Sequence, residues 1–575
     1  MVINTSNVYC RQIIELMFAH GVRTAYCSPG SRNTPLLLAA DACRELAKRV
    51  VVDERSAAFQ AYGCALVEKR PVALICTSGT AVLDYAPAVA EAYYSGIPLI
   101  VVSADRPREW IDQDDSQTIR QYGVLDHFVK GSYDVRAIPE GSAREYTEEV
   151  MWTVNRTVNE AMLKALDGKP GPVHINVQLS EPLGGLEEMD SALMSERTVM
   201  LASQAESLPQ EAVRQLADMA AGAKILLVAG FLAPDHRLDR AVRMFASYPN
   251  VTVMAETLAN LHDPQPLSTM VDSVLCDMTE EQKREMRPDL VISMGGALVS
   301  RMLKQYLRDY PPRFHWSIGH SNYFCDCFKA LTHRIDVAAA PFLRQLCGAM
   351  RKMRRDAEAG YAARWLELRK RSLSLSREYI DRSPWSDLKA LDYVLTNGRF
   401  DNIFVSNGTA VRYSQLIPHS SHAEYCNRGV SGIDGSTSTA VGGAWAYKGT
   451  TCLISGDISW LYDSGASALG DMPYDMRIVV LENSGGGIFR FIKSTSGIPE
   501  EKLERYFCVN DLPQIADIAE AYGIDTMTVA DMDQLRSGMQ WLAERSDFPR
   551  LLVVSTPPKE SAEVLTRYFN KRSTN

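Results

Sequence analysis

Residues 451–483 read TCLISGDISWLYDSGASALGDMPYDMRIVVLEN, and this stretch decides the fold. Both ends are apolar and rich in β-branched residues, as in strands buried on two faces. A helix is expected to start just after Asp457, followed by a turn and a strand ending at Asn483. A strand, a helix and a strand in so short a span form a parallel unit, which returns both strand ends to the same edge of one sheet. Gly456-Asp457 ends the first strand, and Asn483 follows 26 residues after Asp457. A carboxylate, an amide oxygen and a backbone carbonyl at such an edge suit a hard cation such as Mg²⁺, with diphosphate oxygens completing its octahedron. Helix N-termini and the run Gly485, Gly486, Gly487 offer backbone N–H groups to the phosphates. A plain strand–helix turn with a capping aspartate is the alternative reading.

The same alternation extends outward in both directions. RVVVDE (49–54), PVALICTS (71–78), PLIVVSA (98–104) and PVHINV (172–177) read as strands, with a helix over 81–96. KILLVAG (224–230), VTVMAE (251–256), LVISMGG (290–296) and HWSIG (315–319) form a second set, and NIFVSN (402–407), AEYCN (423–427) and RLLVVS (550–555) extend the third. The N-terminus reads as an amphipathic helix with Ile13, Ile14, Met17 and Phe18 on one side, 180–198 as a linker, and 350–372 as a long charged helix. The expectation is an α/β protein of three consecutive open parallel-sheet domains, at 1–182, 200–350 and 380–575. In such sheets ligands sit at the carboxyl ends of strands. Four of those ends carry chemistry: Glu54, the loop CTSGT (76–80), Asp457 and Asn483.

Composition narrows the class. The 575 residues are 46% hydrophobic and 23% charged, a globular balance with a net charge of −9. That balance disfavours general nucleic-acid binding. No apolar run approaches the ~18 residues of a membrane span. The 12 cysteines are scattered, the closest pair being Cys325-Asp326-Cys327, and no zinc-ligand spacing occurs. Scattered cysteines without a signal peptide point to a reducing cytoplasm.

Gly456-Asp457…Asn483 resembles the signature of thiamine diphosphate enzymes, with two departures: Ile458 stands at the usual third glycine and Glu482 at the usual first asparagine. The resemblance implies a pyrimidine domain, a central Rossmann-like domain and a diphosphate domain. It implies metal ligation of Mg²⁺ or Mn²⁺ by Asp457, Asn483 and the Gly485 carbonyl, with Gly456, Ile458 and Thr409 also against the cofactor. It further requires a glutamate on another domain, to hydrogen-bond the aminopyrimidine and favour the tautomer that activates the thiazolium. Glu54, ending an expected buried strand and opening a helix, fits; Asp53 or Glu54 as a simple helix cap is the alternative.

SPGSRNTPL (28–36), DERSAAF (53–59), CTSGTA (76–81), ADRPREW (104–110), NRGVSGIDG (427–435) and GDISWLYD (456–463) together resemble one thiamine diphosphate family, the 2-succinyl-5-enolpyruvyl-6-hydroxy-3-cyclohexene-1-carboxylate (SEPHCHC) synthases of menaquinone biosynthesis. The likeness implies decarboxylation of 2-oxoglutarate and 1,4-addition of the resulting succinyl carbanion to isochorismate. Each substrate is a dicarboxylate, so an acidic protein must gather arginines locally, whose forks bind carboxylates bidentately. The family pattern assigns Ser31, Arg32, Arg106 and Gln117 to isochorismate, Arg412 and Arg428 to the succinyl carboxylate or its neighbours, and Arg301 as the central domain's contribution. Ile433 would prop the cofactor's bent shape, and Ile488 and Phe489 would pack near the bound intermediate; ordinary core positions are the alternative for all three. Gly408 stands where many members have serine, and Ser300 where some have a second basic residue. In this class the glutamate serves a partner chain's diphosphate domain, so a homodimer is implied and a homotetramer is compatible. Rival readings are another thiamine diphosphate 2-oxoacid decarboxylase or carboligase, a non-catalytic scaffold, and a flavin- or NAD-dependent oxidoreductase, whose glycine fingerprint is missing at Gly295-Gly296.

Overall fold

The strand runs expected from the sequence assemble into three parallel sheets. The computed structural model describes residues 2–190, 196–201, 207–262, 270–353, 360–468, 472–495, 497–509 and 511–570. The chain packs as two units. One comprises Met1–Ser203, Gly429–Lys448 and Tyr462–Pro473; the other comprises Gln204–Arg428, Gly449–Leu461 and Tyr474–Asn575.

The first unit holds β1 (Val2–Thr5), β2 (Thr24–Cys27), β3 (Ala47–Val50), β4 (Val72–Cys76), β5 (Leu99–Asp105), β6 (Ser132–Val135), β7 (Val173–Gln178) and β8 (Leu186–Met189). Six of them form a parallel sheet in the order β3-β2-β4-β5-β7-β6. Its centre is fully apolar: every residue of Val72–Cys76 is buried. The N-terminal helix spans Val8–Ala19 and buries Ile13, Ile14 and Met17 as its pattern requires. The chain ahead of it is not helical, however. β1 pairs antiparallel with β8, so part of the expected linker is a strand, and residues 191–195 of that linker lie outside the described ones.

A second correction concerns the strand expected at 49–54. It spans only Ala47–Val50, lies at the sheet edge, and leaves Val50 64% and Val52 56% exposed. A β-branched run reads alike at an edge and in a centre, because the missing neighbour is not in the local pattern. The following helix, Glu54–Glu68, crosses the helix Ser436–Ala446 at backbone contact. A Cβ on Gly63 would lie 1.9 Å from the Thr439 carbonyl, and one on Gly442 would lie 1.9 Å from the Gln60 carbonyl. The two glycines face each other's helices and permit the approach.

The second unit holds two sheets. β9 (Ile225–Ala229), β10 (Val251–Ala255), β11 (Leu290–Met294), β12 (Phe314–Ile318) and β13 (His333–Ile335) run in the order β10-β9-β11-β12-β13. β14 (Asn402–Val405), β15 (Ala423–Tyr425), β16 (Thr451–Gly456), β17 (Met476–Glu482), β18 (Asp525–Val529) and β19 (Arg550–Ser555) run in the order β15-β14-β16-β17-β19-β18. The charged helix expected at 350–372 occupies Tyr361–Arg382, with 354–359 outside the described residues.

Numbered within their own sheets, the two six-stranded sheets share one order, 2-1-3-4-6-5, and the five-stranded sheet follows 2-1-3-4-5. In each sheet the order reverses between its first and third strands, and there the loops leaving the two strand ends open a crevice.

Candidate active site

In the first unit the crevice lies between the ends of β2 and β4. Asn33 pins the loop after β2: its Oδ1 accepts from Gly30 N (3.0 Å) and its Nδ2 donates to the Ser28 carbonyl (2.9 Å). Gly30 is required, since a Cβ there would sit 2.4 Å from the Thr77 Cβ in the loop after β4. Arg32 is buried, donating to the Leu179 carbonyl (3.1 Å) and pairing with Glu181 (3.2 Å). Its burial and the nearby Arg106 both lower its pKa. Arg106 donates to the Ser116 carbonyl (2.9 Å) and pairs with Asp115 (2.8 Å). Ser31 and Gln117 are exposed, and Gln117 has a left-handed backbone (φ 52°). The backbone of Gln117 passes the loop after β4, 3.3 Å from where a Gly79 Cβ would lie.

Beneath these residues lies a buried polar layer whose members the motifs did not single out. Gln121 accepts from Gly79 N (2.7 Å) and donates to the Ala104 carbonyl and to Asn176 (3.0 Å each). Asn176 in turn donates to Asp105 and Asp134 (2.9 Å each). Burial pushes Asp105 up to about 6, although Asn176 and Arg32 oppose the shift.

Glu54 is the first residue of its helix, and the capping is done by its neighbour. Asp53 accepts from Ser56 N (3.2 Å) and from the Ser56 hydroxyl (3.0 Å). Glu54 is thereby left as a half-buried carboxyl, raised in pKa by burial first and then by Asp84 and Asp53. The loop carrying Ile433 belongs to the same unit and is clamped by buried Glu91, which accepts from Gly429 N (2.5 Å) and Val430 N (2.7 Å). Ile433 itself is half-buried.

In the second unit the crevice lies between the ends of β14 and β16. A Cβ added at Gly408 or at Gly456 would meet nothing within 4 Å, so both glycines border open space. Asp457 opens the helix Asp457–Tyr462 and is buried; its Oδ1 accepts from Ile458 N (2.7 Å) and its Oδ2 from Asn483 N (3.0 Å) and Gly485 N (2.8 Å). Asn483 donates through Nδ2 to buried Asp387 (2.8 Å), which turns its amide oxygen the other way. Ser484, Gly485 and Gly486 all have positive φ (59°, 68° and 55°), so the backbone coils tightly around the aspartate. Ile458, at the expected glycine, directs its Cδ1 toward Gly485, 3.0 Å from where a Cβ on that glycine would lie. Glu482 is half-buried and raised in pKa by burial and by Asp457.

The oxygens match the donor set of a hard cation: a carboxylate, an amide oxygen aimed by its own hydrogen bond, and the Gly485 carbonyl. That carbonyl also accepts from Arg490 (2.9 Å), which is paired with Glu504 (2.8 Å). Nothing crowds Gly408 or Gly456 at the adjoining strand ends, and the chemistry of this donor set fits the group. Thr409 is buried at the head of the helix Ala410–Ser414, while Ile488 and Phe489 are half-buried in the turn Gly487–Arg490, with Phe489 against Phe507.

The same unit gathers three of the expected arginines. Arg412 is lowered in pKa by burial, then by Arg301 and Arg428, while Asp272 opposes. Arg428 donates to Asn407 (2.8 Å). Ser300 caps the helix Arg301–Asp309, accepting from Leu303 N (2.9 Å), and its hydroxyl donates to Asp272. Buried Glu256 accepts from Val299 N (2.8 Å) and Ser300 N (2.7 Å), and burial pushes it up to about 7.

Comparison with known proteins follows the same line. Residues 9–124 match the family described as thiamine pyrophosphate enzyme, N-terminal TPP binding domain. A 2-succinyl-5-enolpyruvyl-6-hydroxy-3-cyclohexene-1-carboxylate synthase of Porphyromonas gingivalis is 39% identical over 97% of this chain and 96% of its own length. The chain belongs to the SEPHCHC synthase family. Proteins of the same name from Flavobacterium psychrophilum (34% identical) and Christiangramia forsetii (32%) each align over 97% of this chain and 98% of their own length. The SEPHCHC synthase likeness therefore includes the central sheet, where the motifs alone were weakest. Among the described residues no helix is long and apolar enough to cross a membrane.

Proposed function

We propose that this protein decarboxylates 2-oxoglutarate and adds the succinyl unit to isochorismate in a 1,4-addition, giving SEPHCHC for menaquinone synthesis. The observation that carries this reading is the convergence of Arg301, Arg412 and Arg428 in the unit that also holds Asp457 and Asn483. Family membership supports it. Bound thiamine diphosphate supplies the electron sink through which the 2-oxoacid loses carbon dioxide.

This chain's residues take the remaining roles. Glu54 holds a proton at its carboxyl and donates it to a ring nitrogen of the cofactor; its raised pKa suits that exchange. Asp457, Asn483 and the Gly485 carbonyl hold Mg²⁺ or Mn²⁺, and Arg490 shares that carbonyl or yields it. Gly456, Ile458 and Thr409 would border the cofactor's diphosphate end, and Ile433 would offer an apolar side chain to a bound cofactor. Arg412 and Arg428, with Arg301, bind the succinyl carboxylate or its neighbours. Ser31, Arg32, Arg106 and Gln117 bind isochorismate. Ile488 and Phe489 exclude water around the reacting carbon, so that it meets the acceptor before a proton.

The proposed domains span 1–182, 200–350 and 380–575. The active form is a homodimer or a homotetramer of a cytoplasmic enzyme, in which Glu54 of one chain serves the diphosphate domain of another. Exposed apolar Val50, Val52, Val430 and Tyr462 in the first unit support association.

The test is carbon dioxide release from 2-oxoglutarate with thiamine diphosphate and Mg²⁺, with and without isochorismate. Release that rises with isochorismate, needs the cofactor and falls about 100-fold or more in Glu54→Gln is expected. Cofactor-dependent release indifferent to isochorismate would instead indicate a simple 2-oxoacid decarboxylase.

A further inference from the structure

The three arginines of the second unit stand on separate stretches of backbone, and those stretches come together at one residue, Thr257. Gln415 caps the helix Ala410–Ser414, which carries Arg412; its Oε1 accepts from Thr257 N (2.9 Å) and its Nε2 donates to the Thr257 hydroxyl (2.6 Å). That hydroxyl donates to Oε1 of Glu424 (2.8 Å), in β15, the strand that leads to Arg428. Thr257 also adjoins Glu256, whose carboxyl holds Val299 N and Ser300 N at the head of the helix Arg301–Asp309. Glu424 is itself firmly held. The Asn260 amide accepts from its backbone N–H (2.7 Å) and donates to its carbonyl (2.9 Å), satisfying the open edge of β15. Oε2 of Glu424 faces Nε2 of His419 (2.8 Å), and Nδ1 of His419 faces the Ile417 carbonyl (2.8 Å). Both ring nitrogens meet acceptors, so the imidazole carries two protons and its charge compensates the carboxylate, each side chain being 2% exposed. Burial opposes the second proton, but Glu424 and the Ile417 carbonyl outweigh it and raise the His419 pKa.

We propose that Thr257, Gln415 and Glu424 are positioning residues, a hydrogen-bonded hub that holds Arg301, Arg412 and Arg428 at one spacing for the carboxylates of the 2-oxoacid. The inference rests on the carboligase reading above. Like charges gathered for a dicarboxylate repel one another, so the segments that carry them must be tied. A helix of five residues cannot fix the direction of Arg412 alone, and its cap supplies the tie. The central sheet provides Thr257 after β10, and the third sheet provides Glu424 in β15, so the hub also sets how the two strand ends face each other within the unit. His419 keeps Glu424 ionised, and an ionised Glu424 accepts from Thr257.

The test is steady-state turnover of 2-oxoglutarate by the full-length, cofactor-loaded protein in the presence of isochorismate. Thr257→Val deletes the hydroxyl and keeps the branched shape. It is expected to raise KM for 2-oxoglutarate about 10-fold with kcat changed less than about twofold, a part of the roughly 100-fold that a misplacement of about 1 Å can cost. Thr257→Ser keeps the hydroxyl and should return KM to near the wild-type value. In an Arg412→Ala background Thr257→Val should raise KM by clearly less than in the wild type, because it acts through the arginines, whereas independent effects multiply. Gln415→Met removes the amide and should raise KM similarly, which keeps the test open where Thr257→Val does not fold. Folded Thr257→Val or Gln415→Met with wild-type KM would overturn the hub and leave the carboligase reading standing, as would fully multiplicative effects with Arg412→Ala. A wild type that releases no carbon dioxide from 2-oxoglutarate would overturn the carboligase reading and the hub with it.

Discussion

The proposed metal site hangs on a side chain that touches no expected ligand except through one hydrogen bond. Asp387 is buried, accepts from Asn483 Nδ2 (2.8 Å) and from the Thr556 hydroxyl, and receives the Ser561 hydroxyl as acceptor for its own backbone N–H (3.0 Å). Burial raises the Asp387 pKa while its bonds from Thr556 and Asn483 favour the ionised form; a carboxylate in that form only accepts, so it selects the amide orientation in which Asn483 presents oxygen away from it. Asp387→Ala deletes that selection and leaves the Asn483 amide free to turn its nitrogen toward a cation. A hydrogen bond to a charged partner is worth about 1.5–3 kcal/mol, and loss of a partner that orients a metal ligand typically costs about 10–100-fold in metal affinity. Titration of the holoprotein with Mn²⁺ at fixed thiamine diphosphate should therefore show a Kd weakened by about 10–100-fold in Asp387→Ala. Asp387→Asn keeps an acceptor for Asn483 and should lose about fivefold, one neutral hydrogen bond's worth. Saturating metal should restore turnover in both, because the defect lies in affinity. A folded Asp387→Ala protein with wild-type metal affinity would refute the reasoning, as would a turnover defect that saturating metal leaves unchanged.

Three further outcomes are expected. Gly442→Ala places a methyl 1.9 Å from the Gln60 carbonyl, so the helices must part; unfolding in urea should show a loss of about 3 kcal/mol. Arg412→Ala should raise KM for the dicarboxylate 2-oxoacid by about 10–100-fold with little change in cofactor affinity, since a charged hydrogen-bonding partner is removed; an equal loss of cofactor binding would count against its assignment. Asp463 is buried, accepts from Ser438 N (2.7 Å) and Ser438 Oγ (2.8 Å), and is pushed up to about 7. Its folded pKa is raised, so the proton favours folding: the contribution is full below the unfolded value near 4 and is lost as pH rises toward 7. The melting temperature of wild type should fall between pH 5 and 7.5 relative to Asp463→Asn, and parallel profiles would remove Asp463 as the cause.

Sequence pattern was most informative where a residue's neighbours in the chain are also its neighbours in space. The strand ending at Gly456 and the helix beginning at Asp457 were legible because burial on both faces leaves an unbroken apolar run. The short edge strands β6, β13 and β18 were not, since SYDV, HRI and DTMTV carry polar residues on an open side. The candidate site divides in the same way. Motif residues such as Arg32 and Asn483 stand in recognisable strings, whereas Asp387 reaches Asn483 across 96 positions and Glu91 reaches Gly429 across 338. No local signal marks such partners; burial of a carboxylate beside two donors is visible only in three dimensions.

The two six-stranded sheets show what topology contributes and what it leaves to side chains. Both follow the order 2-1-3-4-6-5 and both open a crevice between their first and third strands. The resemblance is nearly invisible in sequence, because strand order is set by crossover lengths and packing rather than by shared residues. At the first crevice Gly30 lets one loop press against Thr77, with buried Arg32 and half-buried Arg106 beside it. At the second, Gly408 and Gly456 keep the space clear, and a single buried aspartate gathers three backbone N–H groups beneath it. One geometry thus yields arginines beside the crevice in one unit and, in the proposed reading, a cradle for a cation and its phosphates in the other. Glu54 escapes capping duty because Asp53, one residue earlier, performs it. The difference in chemistry between the two sheets therefore rests on which few residues occupy equivalent strand ends, and substitutions there should change binding while leaving the sheets intact.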